Sequence, residues 1–224
     1  MTGRQTFVIS CCVEPERIRN LCARCLCPPM SCYCESVRPF RTSGFDLIFL
    51  QHPHERKRTV GTARMAHLCL ENSKIFTGMN FDHHRQVEEL IHDPANYCMV
   101  LYPGPRAINV SLQGAAENRA LAPAGKKLVI FLIDGTWSCA KKMIKCSPNI
   151  MSLPQICFTP YRGSEYQFRR QPLPNYVSTI EATYQLLEIL EPSPQLGQLL
   201  ELFRAMVARQ VEQSKKHVVR SLRL

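Results

Sequence analysis

Leu128-Val129-Ile130-Phe131-Leu132-Ile133-Asp134-Gly135-Thr136-Trp137 is the stretch on which the fold turns. Six apolar residues in a row predict a buried strand. Asp134 ends the run, Gly135 and Thr136 turn the chain, and Thr136 is suited to cap a helix predicted from about Trp137 to Cys146. A carboxylate at the mouth of a buried strand is a candidate general base or ligand anchor. Trp137, the only tryptophan in the chain, can stack on a base from such a position. Lys141 and Lys142 follow one helical turn later, where they can meet phosphate.

Outward from this stretch, the same alternation of strand and helix recurs. Phe45–Leu50 and Tyr97–Tyr102 read as buried strands, and Ser73–Thr77 and Ile156–Phe158 as shorter ones. Helices are predicted near Thr62–Leu70 and Val87–Ile91. Ser178-Thr179-Ile180-Glu181 has the form of a capping box and predicts a helix through Leu190. A last helix spans about Gln195 to Gln213, with an apolar face that includes Leu199, Phe203 and Met206. Residues 51–55 and 107–125 read as loops. The pattern predicts an α/β domain with a largely parallel sheet, with ligands at the carboxyl ends of its strands.

The first 42 residues differ in kind. They are rich in Cys, Pro and Arg and lack periodicity, so the chain divides into an N-terminal metal-binding module (1–42) and an α/β domain (43–224). Seven of the twelve cysteines lie within the first 34 residues. Cys22-x2-Cys25-x6-Cys32-x-Cys34 offers two close pairs joined by a loop that Pro28 and Pro29 stiffen. This arrangement suits four thiolates around a structural zinc ion. Cys27 is a fifth thiol inside the loop. No long apolar segment opens the chain, and no apolar run approaches a membrane span. The expectation is a reduced, cytoplasmic protein with no membrane partner and no stable protein partner. A formal net charge of +10 favours an anionic partner, nucleic acid above all.

Asp134-Gly135-Thr136-Trp137-x-x-Ala140-Lys141-Lys142-Met143 resembles the signature of the DTW-domain family. Four further elements resemble that family's pattern, in its order. They are the cysteine spacing, Gln51-His52-Pro53-His54-Glu55 with Arg58 and Thr62-Ala63-Arg64, Leu101-Tyr102-Pro103, and Arg169-Arg170 with Ser178-Thr179-Ile180-Glu181-Ala182. Relatives usually carry Thr-Gly-Arg where this chain has Thr62-Ala63-Arg64.

The resemblance implies a SPOUT-like, knotted topology and a tRNA-uridine aminocarboxypropyltransferase. Such an enzyme moves the 3-amino-3-carboxypropyl group of S-adenosylmethionine to N3 of a uridine and releases methylthioadenosine. It implies catalytic roles for Asp134, Thr136 and Trp137. It implies S-adenosylmethionine contacts at Leu101, Tyr102, Pro103, Arg64, Ser178, Thr179 and Glu181. Arg56, Lys57, Arg58, Lys141, Lys142 and Arg169, with the basic C-terminal tail, would follow the tRNA backbone. Two other functions fit the same residues: a SPOUT-like methyltransferase and a non-catalytic, zinc-dependent RNA-binding module.

Overall fold

The computed structural model describes residues 21–58, 60–166 and 177–221, with side chains described through residue 212. The chain forms β1 (Phe45–Gln51), a single turn α1 (Pro53–Arg56), α2 (Thr62–Cys69) and β2 (Ser73–Thr77). It continues through α3 (Arg85–His92), β3 (Asn96–Leu101), a two-residue β4 (Ile108–Asn109), α4 (Ala115–Arg119) and β5 (Lys127–Asp134). The remainder is α5 (Trp137–Lys145), α6 (Pro148–Met151), β6 (Gln155–Cys157), α7 (Thr179–Leu190) and α8 (Gly197–Ser221). Residues 51–55 were expected as loop. Pro53 instead opens a helical turn, where its fixed φ and missing N–H suit the first position. The 107–125 segment likewise holds β4 and α4.

The described strands form one six-stranded sheet in the order β2-β1-β5-β3-β6-β4, and every pairing is parallel. Side chains alternate across a strand, and this alternation builds the layers. Phe45, Leu47 and Phe49 of β1 and Leu128, Ile130 and Leu132 of β5 join one core. That core is covered by α2, α7 and α8. Ile48, Leu50, Val129 and Phe131 point the other way, into a second core shared with Val87 of α3, Met143 of α5 and Ile150 of α6. Helices on both faces explain why β1 and β5 read as unbroken apolar runs. Each fully buried Phe or Leu here stabilises the fold by about 1.5–3 kcal/mol.

The cysteine-rich segment packs on the first of these cores, since Cys25, Cys27, Tyr33, Val37 and Phe40 are part of it. Arg209 of α8 donates to the carbonyl of Cys32 at 3.2 Å, so the last helix holds the first described segment.

Candidate functional site

The parallel register places Gln51 beside Asp134, each the last residue of its strand. Gln51 continues the Phe45-Leu47-Phe49 face and Asp134 the Leu128-Ile130-Leu132 face. Both side chains therefore emerge on the α7 side of the sheet. There Gln51 Nε2 donates to Asp134 Oδ2 at 2.9 Å and Thr179 Oγ1 donates to Oδ1 at 2.7 Å. Asp134 is 1% exposed. Its carboxylate thus joins β1, β5 and the first turn of α7, and the amide of His52 donates to its backbone carbonyl at 2.8 Å.

Next to this carboxylate lies a cavity of about 290 Å³. The end of β3 supplies Leu101, Tyr102 and Pro103, and β5 with its turn supplies Leu132, Ile133 and Gly135. Trp137 and Ala140 of α5, Cys157, Phe158 and Pro160 after β6, and Val177, Thr179 and Ala182 at the start of α7 close it. The site therefore stands outside the carboxyl ends of β3, β5 and β6, where parallel sheets bind ligands. Its lining is apolar, with few polar groups, as pockets for flat organic ligands are. Thr136 caps α5, accepting from the amide of Cys139 at 3.3 Å, so the helix begins at the cavity wall. Gly135 is needed there for space. A Cβ on it would lie 3.3 Å from Cys139 Cβ and 3.5 Å from His52 Cβ.

Of the residues expected to hold S-adenosylmethionine, Leu101, Tyr102, Pro103 and Thr179 line this cavity. Ser178, Glu181 and Arg64 do not appear in its wall. Glu181 is 4% exposed and accepts from the amide and hydroxyl of Ser178 at 2.7 and 2.5 Å. It also accepts from the hydroxyl of Ser164 at 2.8 Å and the amide of Glu165 at 2.6 Å. It clamps the strap after β6 onto the start of α7. Arg64 is 6% exposed and donates to the backbone carbonyls of Cys25 at 3.2 Å and Arg56 at 3.0 Å. It joins the cysteine-rich segment to the turn after β1.

Arg56, Lys57, Arg58, Lys141 and Lys142 are all exposed. The charge of Lys142 acts on His52, the residue before the turn that carries Arg56. Arg58 also pairs with the buried Glu55 at 3.4 Å. Arg169 and Arg170 lie outside the described residues, and the basic tail lies beyond the described side chains. His52 is buried, and burial followed by the charge of His54 holds its imidazole below the usual histidine value.

The cysteine cluster meets the test for a metal site. Zinc held by thiolates at about 2.3 Å in a tetrahedron sets neighbouring sulfurs about 3.8 Å apart. Cys22 and Cys34 Sγ lie 3.7 Å apart and Cys25 and Cys32 Sγ 3.6 Å apart, with all four within 4.8 Å of one another. Hydrogen bonds from the Cys25 and Arg24 amides bring the Cys22 thiol down to about 6. Cys27 is outside the group. Burial, followed by the negative charge of Cys25, pushes its thiol up to about 12.

Sequence reading missed Gln51 as a partner of Asp134, and the wall formed by Cys157, Phe158, Pro160, Val177 and Ala182. For Gln51 a signal existed: like Asp134, it is a polar residue closing an apolar strand.

A comparison with protein-family models matches residues 19–211 to the DTW domain. Among curated proteins, the chain is 31% identical over 193 residues to tRNA-uridine aminocarboxypropyltransferase 2 of Drosophila melanogaster, covering 84% of this chain and 73% of that one. It is 30% identical over 221 residues to the Mus musculus protein of the same name, covering 93% and 72%. It is 25% identical over 197 residues to tRNA-uridine aminocarboxypropyltransferase A of Arabidopsis thaliana, covering 78% and 74%. No solved structure matches. With a buried strand-end aspartate, a tryptophan-lined cavity and a four-cysteine cluster in that family's order, the chain belongs to the DTW-domain family.

Proposed function

We propose that this protein is a tRNA-uridine aminocarboxypropyltransferase. It would take the 3-amino-3-carboxypropyl group from S-adenosylmethionine and place it on N3 of a tRNA uridine. The observation that carries the reading is the apolar cavity walled by Trp137 and Thr179, with the Asp134 carboxylate bonded to Thr179 at 2.7 Å. The relatives' names support the reaction class.

In this reading the cavity takes S-adenosylmethionine, with Leu101, Tyr102, Pro103 and Thr179 against it. The target base arrives from the side of Lys141, Lys142 and the Arg56–Arg58 turn, stacks near Trp137, and gives its N3 proton to Asp134. Thr136 sets the start of α5 and thereby the position of Trp137. In-line placement of N3 against the γ-carbon supplies the rate, because the sulfonium is already a good leaving group. Ser178 and Glu181 act one layer out by fixing Thr179. Arg64 acts through the cysteine-rich segment, residues 1–42, which is accessory to the 43–224 domain and holds a structural zinc. The SPOUT-like knot belongs to the same proposal, supported by family resemblance and the all-parallel sheet. So does a reducing, cytoplasmic setting, which would keep the four thiols available for metal.

The test is nucleoside mass analysis after incubation with unmodified tRNA and S-adenosylmethionine. Aminocarboxypropyl-uridine with methylthioadenosine is expected. Adenosylhomocysteine would point to a methyltransferase, and tight tRNA binding without turnover to a binding module. Asp134→Asn is expected to bind tRNA and lose transfer. Near-normal turnover in that variant would remove Asp134 as the base.

A further inference from the structure

His52 lies next to the wall of the proposed site. It follows Gln51 at the carboxyl end of β1, its amide bonds the Asp134 carbonyl at 2.8 Å, and its Cβ is close to Gly135, a residue of the cavity wall. The charge of Lys142 on α5 also acts on it. The residue thus borders the cavity wall at Gly135 without being part of the lining.

The ring's orientation is fixed. The backbone N–H of His54 donates to Nδ1 at 3.1 Å, so Nδ1 must be an acceptor and the proton of the neutral ring must be on Nε2. Among the described residues, Nε2 makes no hydrogen bond, and the atom is not sealed from solvent. The groups that face the ring are His54 and Glu55 on its own turn, Lys142 on α5 and Asp134 on β5. Burial and the positive neighbours favour the neutral ring; Glu55 and Asp134 oppose them. The result is a preoriented neutral N–H donor that feels the Asp134 charge.

Resting on the transferase reading above, we infer that His52 Nε2–H donates to a carbonyl oxygen of the target uracil and stabilises the N3 anion. Loss of the N3 proton spreads negative charge onto the two flanking carbonyl oxygens, and a neutral donor at either one lowers the cost. The N3 proton goes to Asp134. The N3 electron pair forms the bond to the γ-carbon, and the carbon–sulfur pair leaves on sulfur as neutral methylthioadenosine. The Nε2 proton stays on His52 throughout. A neutral imidazole suits this role because a donor aimed where charge develops acts without giving up its proton.

The role makes a demand on the substrate that a structural histidine does not. Fluorine at C5 acidifies N3, so a tRNA transcript carrying 5-fluorouridine needs the donor less. We expect His52→Ala to bind either tRNA within about two-fold of wild type, and to lose about 10²–10³-fold in single-turnover transfer to uridine tRNA. On 5-fluorouridine tRNA the loss is expected to be at least ten-fold smaller. His52→Gln, which keeps a neutral N–H donor, is expected to recover part of the uridine rate. Equal losses on the two tRNAs, or equal rates for the alanine and glutamine variants, overturn the His52 assignment and leave the transferase reading standing. A wild-type protein that transfers nothing to either tRNA overturns both.

Discussion

At the scale of single residues, two histidines are held neutral by their surroundings. Burial lowers His52 and also His67, whose Nδ1 meets the hydroxyl of Ser73 at 2.8 Å. Each accepts a proton less readily in the folded chain than in the unfolded one, whose reference value is 6.5. Their contribution to stability is therefore fully present above about 6.5 and is lost as pH falls through the lower folded values. The urea midpoint is expected to drop between pH 7.5 and 5. A midpoint that holds or rises over this range would mean that neither ring is held neutral. The residue scale is also where sequence reading reached furthest and stopped. Asp134 was visible because a charge follows six apolar residues. Its partners were not, because the bonds to Gln51 and Thr179 span 83 and 45 positions and depend on register and helix placement.

At the scale of elements, the strands and long helices were legible because their periods are strong. β5, α5 and α7 appear within a few residues of where the sequence puts them, and α8 starts there but runs eight residues further, to Ser221. The first turn after β1 was not, because four residues carry no period and only Pro53 marks the start. The four-cysteine loop was legible from spacing alone, whereas its seating was not. Nothing local in the sequence says that Arg64 reaches the Cys25 carbonyl or that Arg209 reaches Cys32. Because that loop shares the main core, metal removal should be felt beyond it. A strong chelator is expected to lower Tm and to release four thiols rapidly to a thiol reagent, with Cys27 reacting more slowly. Unchanged melting together with unchanged thiol reactivity would exclude a structural metal.

At the scale of the whole molecule, the net charge of +10 becomes a statement about salt dependence. Arg56, Lys57, Arg58, Lys141 and Lys142 are exposed, and under the proposed function they meet the tRNA backbone, so RNA affinity should fall steeply with salt. Lys141→Gln with Lys142→Gln is expected to weaken tRNA binding and to reduce the slope of log K against log salt by roughly 1 per lysine. A slope equal to that of wild type would mean that the phosphates follow another surface. Fold class and family were readable at this scale because five motifs of one family follow one another in its order. The cavity's far wall was not, since Phe158, Pro160 and Val177 are ordinary apolar residues until β6 and α7 bring them together.

The strand order also carries a consequence for biosynthesis. β1 and β3 touch only through β5, which is made after both. While the ribosome is still adding residues before Lys127, the nascent chain holds the β1–β2 pair and a lone β3, both lacking the strand that joins them. Parallel sheets with distant pairings assemble slowly for this reason. The cysteine loop is in the same position, since α8 reaches it only when the last helix has emerged. The growing polypeptide thus carries unpaired strand edges until β5 is made and unanchored thiols until α8 is made, and chaperone contact and metal delivery belong to those intervals.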